Sequence, residues 1–203
     1  MRVLPCADSG VLVELGSLDE VHALRAALVQ QPPAGMLGLV PAARTLLVQL
    51  DPRRADVAEV EREVRNARLM WRRQSESEVL RIPVVYDGED LVEVARLVEL
   101  SEREVVAEHT AAEWTVAFGG FAPGFGYLTG GSDRLRVPRK RESRTRVPAG
   151  SVGLAAEFSG IYPSASPGGW QLIGRTDVPV WQVDRDPPAL LRPGVRVRFV
   201  ETV

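Results

Sequence analysis

Short apolar runs alternate with amphipathic stretches over the first 78 residues, and this pattern predicts a small α+β domain. Ser17 followed by Glu20 has the spacing of a capping box and predicts the start of a helix, which Pro32 ends because proline cannot continue the backbone hydrogen bonds. The predicted order is strand, helix, strand, strand and helix, at about residues 11–15, 17–30, 37–40, 45–50 and 55–71. The last helix is predicted from apolar side chains spaced three to four positions apart: Val57, Val60, Val64, Ala67 and Trp71. A closing strand near residues 79–85 would complete a ferredoxin-like arrangement.

The polar stretch Gln74–Glu78 lacks apolar periodicity and predicts a linker, so we place one domain at residues 1–78 and another at residues 79–203. The second domain is predicted to begin with a strand at 80–86 and two short helices at 89–100 and 102–109. From Trp114 onward, glycine and proline interrupt every apolar run: 114–118, 151–158, 170–174, 180–183 and 195–200. Short apolar runs separated by glycine and proline are typical of a β sandwich or barrel. The predicted fold class is therefore an α+β domain followed by a mostly β domain.

Composition and charge exclude several classes of protein. The chain of 203 residues has a net charge of −2, whereas nucleic-acid-binding domains are strongly basic. No apolar run reaches the roughly 18 residues of a membrane span, and Asp8 and Glu14 lie where a signal peptide would be apolar. The single cysteine, Cys6, cannot form an intrachain disulfide. We therefore expect a soluble, cytoplasmic protein that binds neither nucleic acid nor membranes.

Three stretches of the second domain are rich in chemically useful residues. Glycines and aromatic residues combine at 119–128, where they predict either a ligand pocket or a tight turn with core rings. Seven cations lie within the thirteen residues Arg134–Arg146, which predicts either a solvated loop or a binding site for phosphate or carboxylate. Glycine and serine turns at 148–153 and 159–170 suit an anion but also suit simple hairpins.

The remaining candidate chemistry is sparse. Lys140 is the only lysine and follows Arg139, so the chain has no P-loop for a nucleotide. His22 is predicted to lie on the surface of the first helix, whereas His109 ends a helix near the glycine–aromatic stretch and is the better general acid or base. Two histidines and one cysteine make a zinc site improbable, and we predict no metal site. The residues alone predict a pocket for a small anion in a β domain.

Three long motifs resemble a known family. GGFAPGFGYL at 119–128, PRKRESRTRVPAGSVGLA at 138–155 and SGIYPSASPGGWQLIGRT at 159–176 resemble the Kip inhibitor (KipI) / allophanate hydrolase subunit 1 family. Many of its members are assigned as the B component (PxpB) of bacterial ATP-dependent 5-oxoprolinase, and the family corresponds to subdomains C and D of a carboxyltransferase domain. The resemblance implies a cyclophilin-like barrel as the second domain and a small α+β domain before it. It also implies two partners, an allophanate hydrolase subunit 2-like protein (PxpC) and a PxpA-type subunit.

The implied reaction opens 5-oxo-L-proline to L-glutamate with ATP, which the subunits share, and without biotin on this chain. A site that holds phosphate and carboxylate needs cations and amide donors. By hypothesis, His109 manages a proton, Arg139 and Arg144 hold anionic groups, and aromatic rings form the walls. The substrate-binding candidates are Gly120, Phe121, Pro123, Gly124, Phe125, Tyr127, Pro148, Gly150, Ser151, Tyr162, Ser166, Gly168, Gly169 and Trp170. Because no complete catalytic set is present, we expect the isolated chain to be inactive.

One departure from the family pattern leaves the substrate open. Members commonly carry Gln-Thr-Gly where this chain has Phe158-Ser159-Gly160, so an amide that could touch the substrate is lost. Two alternative functions therefore stay open: a carboxyltransferase-type subunit of a urea or allophanate pathway enzyme, and a regulatory inhibitor of a sensor histidine kinase.

Overall fold

The computed structural model describes residues 1–71 and 79–203, which fall into two compact units, one before residue 72 and one after residue 78. The predicted linker at 74–78 and the predicted domain boundary lie outside the described residues. In the part of the chain that the structure describes, no helix combines the length and the apolar character needed to cross a bilayer.

The first unit is a four-stranded antiparallel sheet with two helices. Its strands are β1 (Arg2–Pro5), β2 (Gly10–Glu14), β3 (Met36–Pro41) and β4 (Thr45–Leu50), and its helices are α1 (Leu18–Gln30) and α2 (Val57–Asn66). The strands lie in the order β1-β2-β4-β3. Ser17 caps α1 by accepting a hydrogen bond from the Glu20 amide, as its spacing predicts. Leu24, Val48 and Val60 are fully or almost fully buried in one core between the sheet and the helices.

Two predictions for the first unit are wrong. Helix α2 ends at Asn66, because Ala67 is extended, and Trp71 is 67% exposed rather than part of an apolar face. The predicted closing strand, Val79–Val84, lies in the second unit instead, and the edge of the first sheet is occupied by β1, which we did not predict. The ferredoxin-like arrangement is therefore not confirmed. Strand alternation shows that a strand forms but does not show which strand it pairs with.

The second unit, residues 79–203, is built on a seven-stranded sheet in the order β12-β9-β10-β7-β6-β13-β5. These strands are β5 (Val79–Val84), β6 (Trp114–Gly119), β7 (Gly126–Thr129), β9 (Ser151–Ala155), β10 (Phe158–Ile161), β12 (Gln171–Arg175) and β13 (Arg196–Glu201). Val85 and Arg175 exchange two backbone hydrogen bonds of 2.9 Å, and the Asp90 amide donates to Leu172 O at 2.9 Å. The chain after β5 thus returns to β12 and nearly closes the sheet, which confirms the predicted β-rich barrel.

The other elements of this unit are two α-helices, a short 3₁₀ helix (Asp133–Leu135) and a two-stranded ribbon. Helices α3 (Leu91–Leu97) and α4 (Glu102–Ala111) follow β5, and α4 begins with the predicted capping box. The ribbon pairs β8 (Arg144–Val147) with β11 (Ser166–Gly168). The predicted single run at 151–158 is two strands of a hairpin, and the predicted run at 180–183 forms no strand beyond one bridge between Trp181 and Ala189.

Candidate functional site

A cluster of aromatic rings covers the outer face of the barrel. Among the described residues, its members are Phe118, Phe121, Phe125, Tyr127, Phe158, Tyr162 and Trp170. Phe125 lies at the centre, and its ring centroid is between 5.1 and 5.4 Å from those of Phe121, Tyr127, Tyr162 and Trp170. Each of these contacts is edge-to-face, an arrangement favoured by the ring quadrupoles. The structure therefore brings the predicted aromatic residues together.

Glycine in strand β10 makes room for these rings. A Cβ atom added to Gly160 would lie 2.9 Å from Phe125 Cζ and 3.0 Å from Trp170 Cζ3, closer than carbon atoms pack. The backbone of the strand is thus bare at Gly160, and the edges of two large side chains approach it there. This explains why a glycine occurs at a strand position where a side chain would otherwise cover the sheet.

The cluster opens to solvent at one side. Phe125, Tyr162 and Trp170 are buried, whereas Tyr127 is half-buried and Phe121 is 57% exposed. Phe121 adopts a φ of 68°, a left-handed conformation that is uncommon for an aromatic residue and costs conformational energy. Exposed rings on a strained turn form a flat apolar wall available to a ligand.

Arg139 precedes Lys140, whose amide donates to Gly169 O at 2.8 Å, next to Trp170 of the cluster. The Arg139 side chain is exposed and forms no ion pair with a carboxylate of residues 1–71 or 79–203. Burial raises the pKa of Tyr127, and the positive charge of Arg139 opposes this rise. Burial also raises the pKa of Tyr162, against a hydrogen bond from the Trp170 backbone and the charge of Arg139. The guanidinium group thus influences two phenol groups of the cluster, and without a carboxylate partner among the described residues it is available to an anion.

Asp90 binds two cations of the Arg134–Arg146 stretch, and it was not predicted as a site residue. Its carboxylate is 3% exposed and accepts hydrogen bonds from Lys140 Nζ at 2.6 Å, from Arg144 Nη2 at 2.7 Å and from the Leu172 amide at 2.7 Å. Burial alone would raise the pKa of Asp90, but hydrogen bonds from Arg144, Lys140 and Leu172 hold that pKa below its usual value. Arg144, predicted to hold an anion of the substrate, is bound to a carboxylate of the chain itself, and its role toward the substrate stays a prediction.

The other cations of the Arg134–Arg146 stretch divide into two groups. Arg134 pairs with Glu108 at 2.7 Å, and Arg136 lies 3.6 Å from Glu157. Arg141 and Arg146 are exposed and, like Arg139, pair with no carboxylate in the described ranges. Some cations of the stretch are therefore held in ion pairs, and others have no carboxylate partner among the described residues. Neither a fully solvated loop nor a site formed by all seven cations describes this arrangement.

The glycine and serine turns lie next to the cluster but are largely occupied by main-chain contacts. The Gly120 amide donates to Phe125 O at 3.2 Å, and the Gly150 amide donates to Tyr162 O at 2.8 Å. Gly169 O accepts from the Lys140 amide at 2.8 Å. The remaining candidates of these turns include both buried and exposed residues: Ser151, Gly168 and Gly169 are buried, Gly124 and Ser166 are half-buried, and Pro123 and Pro148 are exposed. Ser166 Oγ is buried and has no hydrogen-bond partner in the described residues. Two of the predicted amide donors are thus already used within the fold.

His109 lies inside the barrel, apart from the aromatic cluster. It is 0% exposed, its two ring nitrogens lie 2.7 Å from Tyr86 Oη and 2.9 Å from Ser159 Oγ, and its ring stacks on Phe199. Side chains alternate along a strand, so Ser159 faces the interior while Phe158, its neighbour, faces the cluster. The structure therefore does not bring His109 together with Arg139. Its predicted role in proton transfer stays a prediction, and in this conformation His109 has no exposed atom that could touch a substrate.

The burial of His109 predicts a distinct pH dependence of stability. Burial lowers its pKa to about 3, so the unfolded chain binds a proton here below about pH 6.5 while the folded chain does not. Stability is therefore lost as the pH falls, by about 1.4 kcal/mol for each pH unit below 6.5. We expect the free energy of unfolding to fall by about 2 kcal/mol more between pH 6.5 and pH 5 in the wild type than in His109→Gln. Urea denaturation at both pH values measures this, and equal slopes in the two proteins would contradict it.

Two clefts lie away from this site. One of about 650 Å³ is lined by residues of the first unit, including Leu28, Pro33 and Met70. The other, of about 330 Å³, lies beside Val85 and Arg175 where the barrel closes. Neither is lined by a predicted site residue, so the candidate site is the exposed side of the aromatic cluster with Arg139.

Comparison with known families matches the model of the carboxyltransferase domain, subdomain C and D, over residues 1–191. The chain belongs to this family. Curated members of the carboxyltransferase C and D family include the B component of 5-oxoprolinase from Bacillus subtilis, 38% identical, with 95% of this chain and 89% of the relative covered. The corresponding 5-oxoprolinase component of Escherichia coli O157:H7 is 50% identical over 130 residues, which cover 63% of this chain and 60% of the relative.

Solved structures extend the comparison. The crystal structure of TTHA0988 is 42% identical with a TM-score of 0.79, and the alignment covers 96% of this chain but only 40% of that longer chain. The urea carboxylase of Kluyveromyces lactis has the same fold, with a TM-score of 0.79 at 18% identity, over 99% of this chain and 22% of the enzyme. In both structures, the carboxyltransferase C and D fold is one part of a longer polypeptide.

Proposed function

We propose that this chain is a subunit of a bacterial ATP-dependent 5-oxoprolinase, an assembly that opens 5-oxo-L-proline to L-glutamate. Its partners would be an allophanate hydrolase subunit 2-like protein (PxpC) and a PxpA-type subunit. The observation that carries the proposal is the 38% identity to the B component of 5-oxoprolinase from B. subtilis over nearly the full length of both chains. We extend the proposal to the fold and assign the barrel to the cyclophilin-like class.

The exposed side of the aromatic cluster suits this substrate. 5-Oxoproline is a flat five-membered lactam with one carboxylate, and the Phe121 and Tyr127 rings offer apolar walls for such a ring. The guanidinium of Arg139 matches a carboxylate through two parallel hydrogen bonds. In the reaction, water adds to the lactam carbonyl carbon, the C–N bond breaks, and the nitrogen leaves as the amine of glutamate. This chain would bind and orient the substrate for that step.

The proposed reaction also requires ATP, whose phosphate groups are anionic. A lactam carbonyl is stabilised by resonance, and transfer of the γ-phosphoryl group of ATP to its oxygen, with release of ADP, would activate it. Hydrolysis then releases that group as phosphate, so the overall reaction converts 5-oxoproline, ATP and two water molecules to glutamate, ADP and phosphate. The free cation at Arg139 fits an anionic group, whether carboxylate or phosphate. No described residue forms a P-loop, so we assign the nucleotide to the assembly as a whole.

Two features of the structure support the proposal that the isolated chain is inactive. His109, its best general base by sequence, is enclosed in the barrel, and the Asp90 carboxylate is bound to Lys140 and Arg144. A base for the attacking water would therefore come from another protein of the assembly.

The test is ADP release and glutamate formation by the mixture of this chain with its two proposed partners. We expect both products only when 5-oxoproline, ATP and this chain are all present. A verified complex that releases ADP at the same rate with and without 5-oxoproline would overturn the proposal and favour a urea-type carboxyltransferase.

A further inference from the structure

Hydrogen bonds hold the backbone on both sides of Arg139. The carbonyl oxygen of Pro138, the residue before it, accepts a hydrogen bond from Gln171 Nε2 at 3.2 Å. The amide of Lys140, the residue after it, donates to Gly169 O at 2.8 Å. These two bonds therefore fix the path of the backbone through Arg139, although its side chain is exposed.

The same two bonds place Arg139 beside Trp170. Gly169 and Gln171 immediately precede and follow Trp170, whose buried ring has its centroid 5.2 Å from that of Phe125, at the centre of the aromatic cluster. The backbone at Arg139 thus runs alongside the backbone at Trp170. The cation and the rings of the candidate site are therefore joined here through their main chains.

Asp90 secures this connection from inside the fold. Its buried carboxylate binds Lys140 and Arg144, and it also accepts a hydrogen bond of 2.7 Å from the Leu172 amide. Because Leu172 belongs to β12, the cationic stretch is tied to that strand even without the bond from Gln171. Loss of the Gln171 bond should therefore have a local effect and leave the rest of the stretch attached.

The buried side chain of Gln171 is only half satisfied. It is 4% exposed, and its Oε1 atom has no hydrogen-bond partner in the described residues. A buried acceptor without a donor lowers stability, whereas an apolar side chain of similar shape would not. The bond from Nε2 to Pro138 O is only partly buried, so water can take its place. The amide is therefore better explained by the position it gives to Arg139 than by a gain in stability.

We propose that Gln171 is a positioning residue of the candidate site and that it acts through Arg139. It holds the backbone beside Trp170, so that the guanidinium group meets the substrate anion at a fixed place relative to the rings. For the identity of that anion, the carboxylate of 5-oxoproline, the proposal rests on the proposed function. A cation on a loosely held backbone would still attract the anion but would orient it poorly.

Gln171→Met tests this role, because methionine fills a similar volume without either half of the amide. In the assembled complex we expect it to lower kcat/KM for 5-oxoproline about tenfold. Since the variant also removes the unsatisfied oxygen, its midpoint of urea denaturation should stay close to that of the wild type. In the Arg139→Ala background the same substitution should lower kcat/KM less than about twofold, because the cation that Gln171 positions is already gone.

Gln182→Met is the matched control. Gln182 lies in the same unit, its side chain is exposed, and its Oε1 atom accepts one hydrogen bond from Arg185 at 3.3 Å. The same chemical change away from Arg139 should keep kcat/KM within about twofold of the wild type. A fall equal to that of Gln171→Met would overturn the proposal, because it would show that the change of residue type alone lowers activity.

Amide hydrogen exchange measures the position of Arg139 without any substrate. In Gln171→Met we expect the Lys140 amide, which donates to Gly169 O, to exchange at least about fivefold faster than in the wild type. The Thr176 amide, which donates to Gly150 O at 2.9 Å, is the internal reference and should exchange at an unchanged rate. Faster exchange at both amides would indicate a general loss of stability and would overturn the proposal.

The remaining outcomes are equally decisive. A Gln171→Met complex with kcat/KM within about twofold of the wild type overturns the proposal, as does an equal fall in the Arg139→Ala background or an unchanged exchange rate at Lys140. A wild-type complex that does not convert 5-oxoproline overturns the proposed function. In that case faster exchange confined to Lys140 still supports the positioning of Arg139 by Gln171.

Discussion

Arg139→Ala is expected to lower kcat/KM for 5-oxoproline in the assembled complex about 100-fold, because the substrate carboxylate loses its charged partner at the open side of the aromatic cluster. A loss of this size corresponds to about 2.7 kcal/mol, the range found when one preorganised donor is removed from an active site. The side chain is exposed and forms no ion pair with a described carboxylate, so the variant should fold normally. Glutamate formation at varied 5-oxoproline concentrations measures the effect.

Two further variants separate the role of Arg139 from a general effect of charge. Arg141→Ala removes an exposed cation two residues away and should keep kcat/KM within twofold of the wild type. Arg139→Lys keeps the charge but not the planar pair of donors, so we expect it to recover only part of the loss. Full kcat/KM in Arg139→Ala, within a complex shown to be assembled, would remove Arg139 from the site.

The aromatic side of this site could be predicted from the sequence because its residues are concentrated in short motifs. Phe121, Phe125 and Tyr127 lie within one turn and the strand that follows it, so local spacing already places them together. Trp170 joins them across Gly160 of β10, and a glycine within a strand indicates close packing. For these aromatic residues, the spacing in the sequence and the contacts in the fold therefore point to the same cluster.

The ionic side of the site could not be predicted in the same way. Asp90 is 50 residues from Lys140 and 54 from Arg144, and in the sequence it is one acidic residue before a helix. Seven cations in one stretch do require counter-charges, but Coulomb attraction does not show which carboxylate supplies them. The same limit applies to β5, whose alternation predicts a strand while its partner, β13, lies more than 100 residues away.

His109 has surroundings that its residue type and place in the sequence did not indicate. Its place near the end of a helix suggested a charged or reactive histidine. The fold encloses it between Tyr86 and Ser159 instead, where burial keeps it neutral. Ser159 lies in the tripeptide that departs from the family pattern, so this departure affects an interior hydrogen bond. The Gln position of that pattern, here Phe158, belongs to the aromatic cluster.

Asp90→Asn is expected to lower the free energy of unfolding of the second unit by about 3 kcal/mol, because it leaves two partly buried cations without their carboxylate. The Lys140 and Arg144 side chains are 32% and 17% exposed, so water compensates only part of the lost charge. The isosteric amide preserves the shape, which isolates the effect of the charge. Urea denaturation followed by tryptophan fluorescence measures it, since Trp114, Trp170 and Trp181 report on this unit.

Glu89→Gln provides the matched control for Asp90→Asn. Glu89 pairs with the same Arg144 at 3.3 Å, but its side chain is 73% exposed, so its loss should cost less than about 1 kcal/mol. Asp90 has a pKa below its unfolded value, so its stabilisation is complete above about pH 4 and is lost as the pH falls through the folded pKa. The difference in the free energy of unfolding between the wild type and Asp90→Asn should therefore shrink in acid.

Equal losses of unfolding free energy in Asp90→Asn and Glu89→Gln at pH 7 would show that Asp90 does not anchor the cationic stretch. A larger loss in Asp90→Asn, accompanied by a fall in kcat/KM like that of Arg139→Ala, would show that this anchor also positions Arg139 at the aromatic cluster.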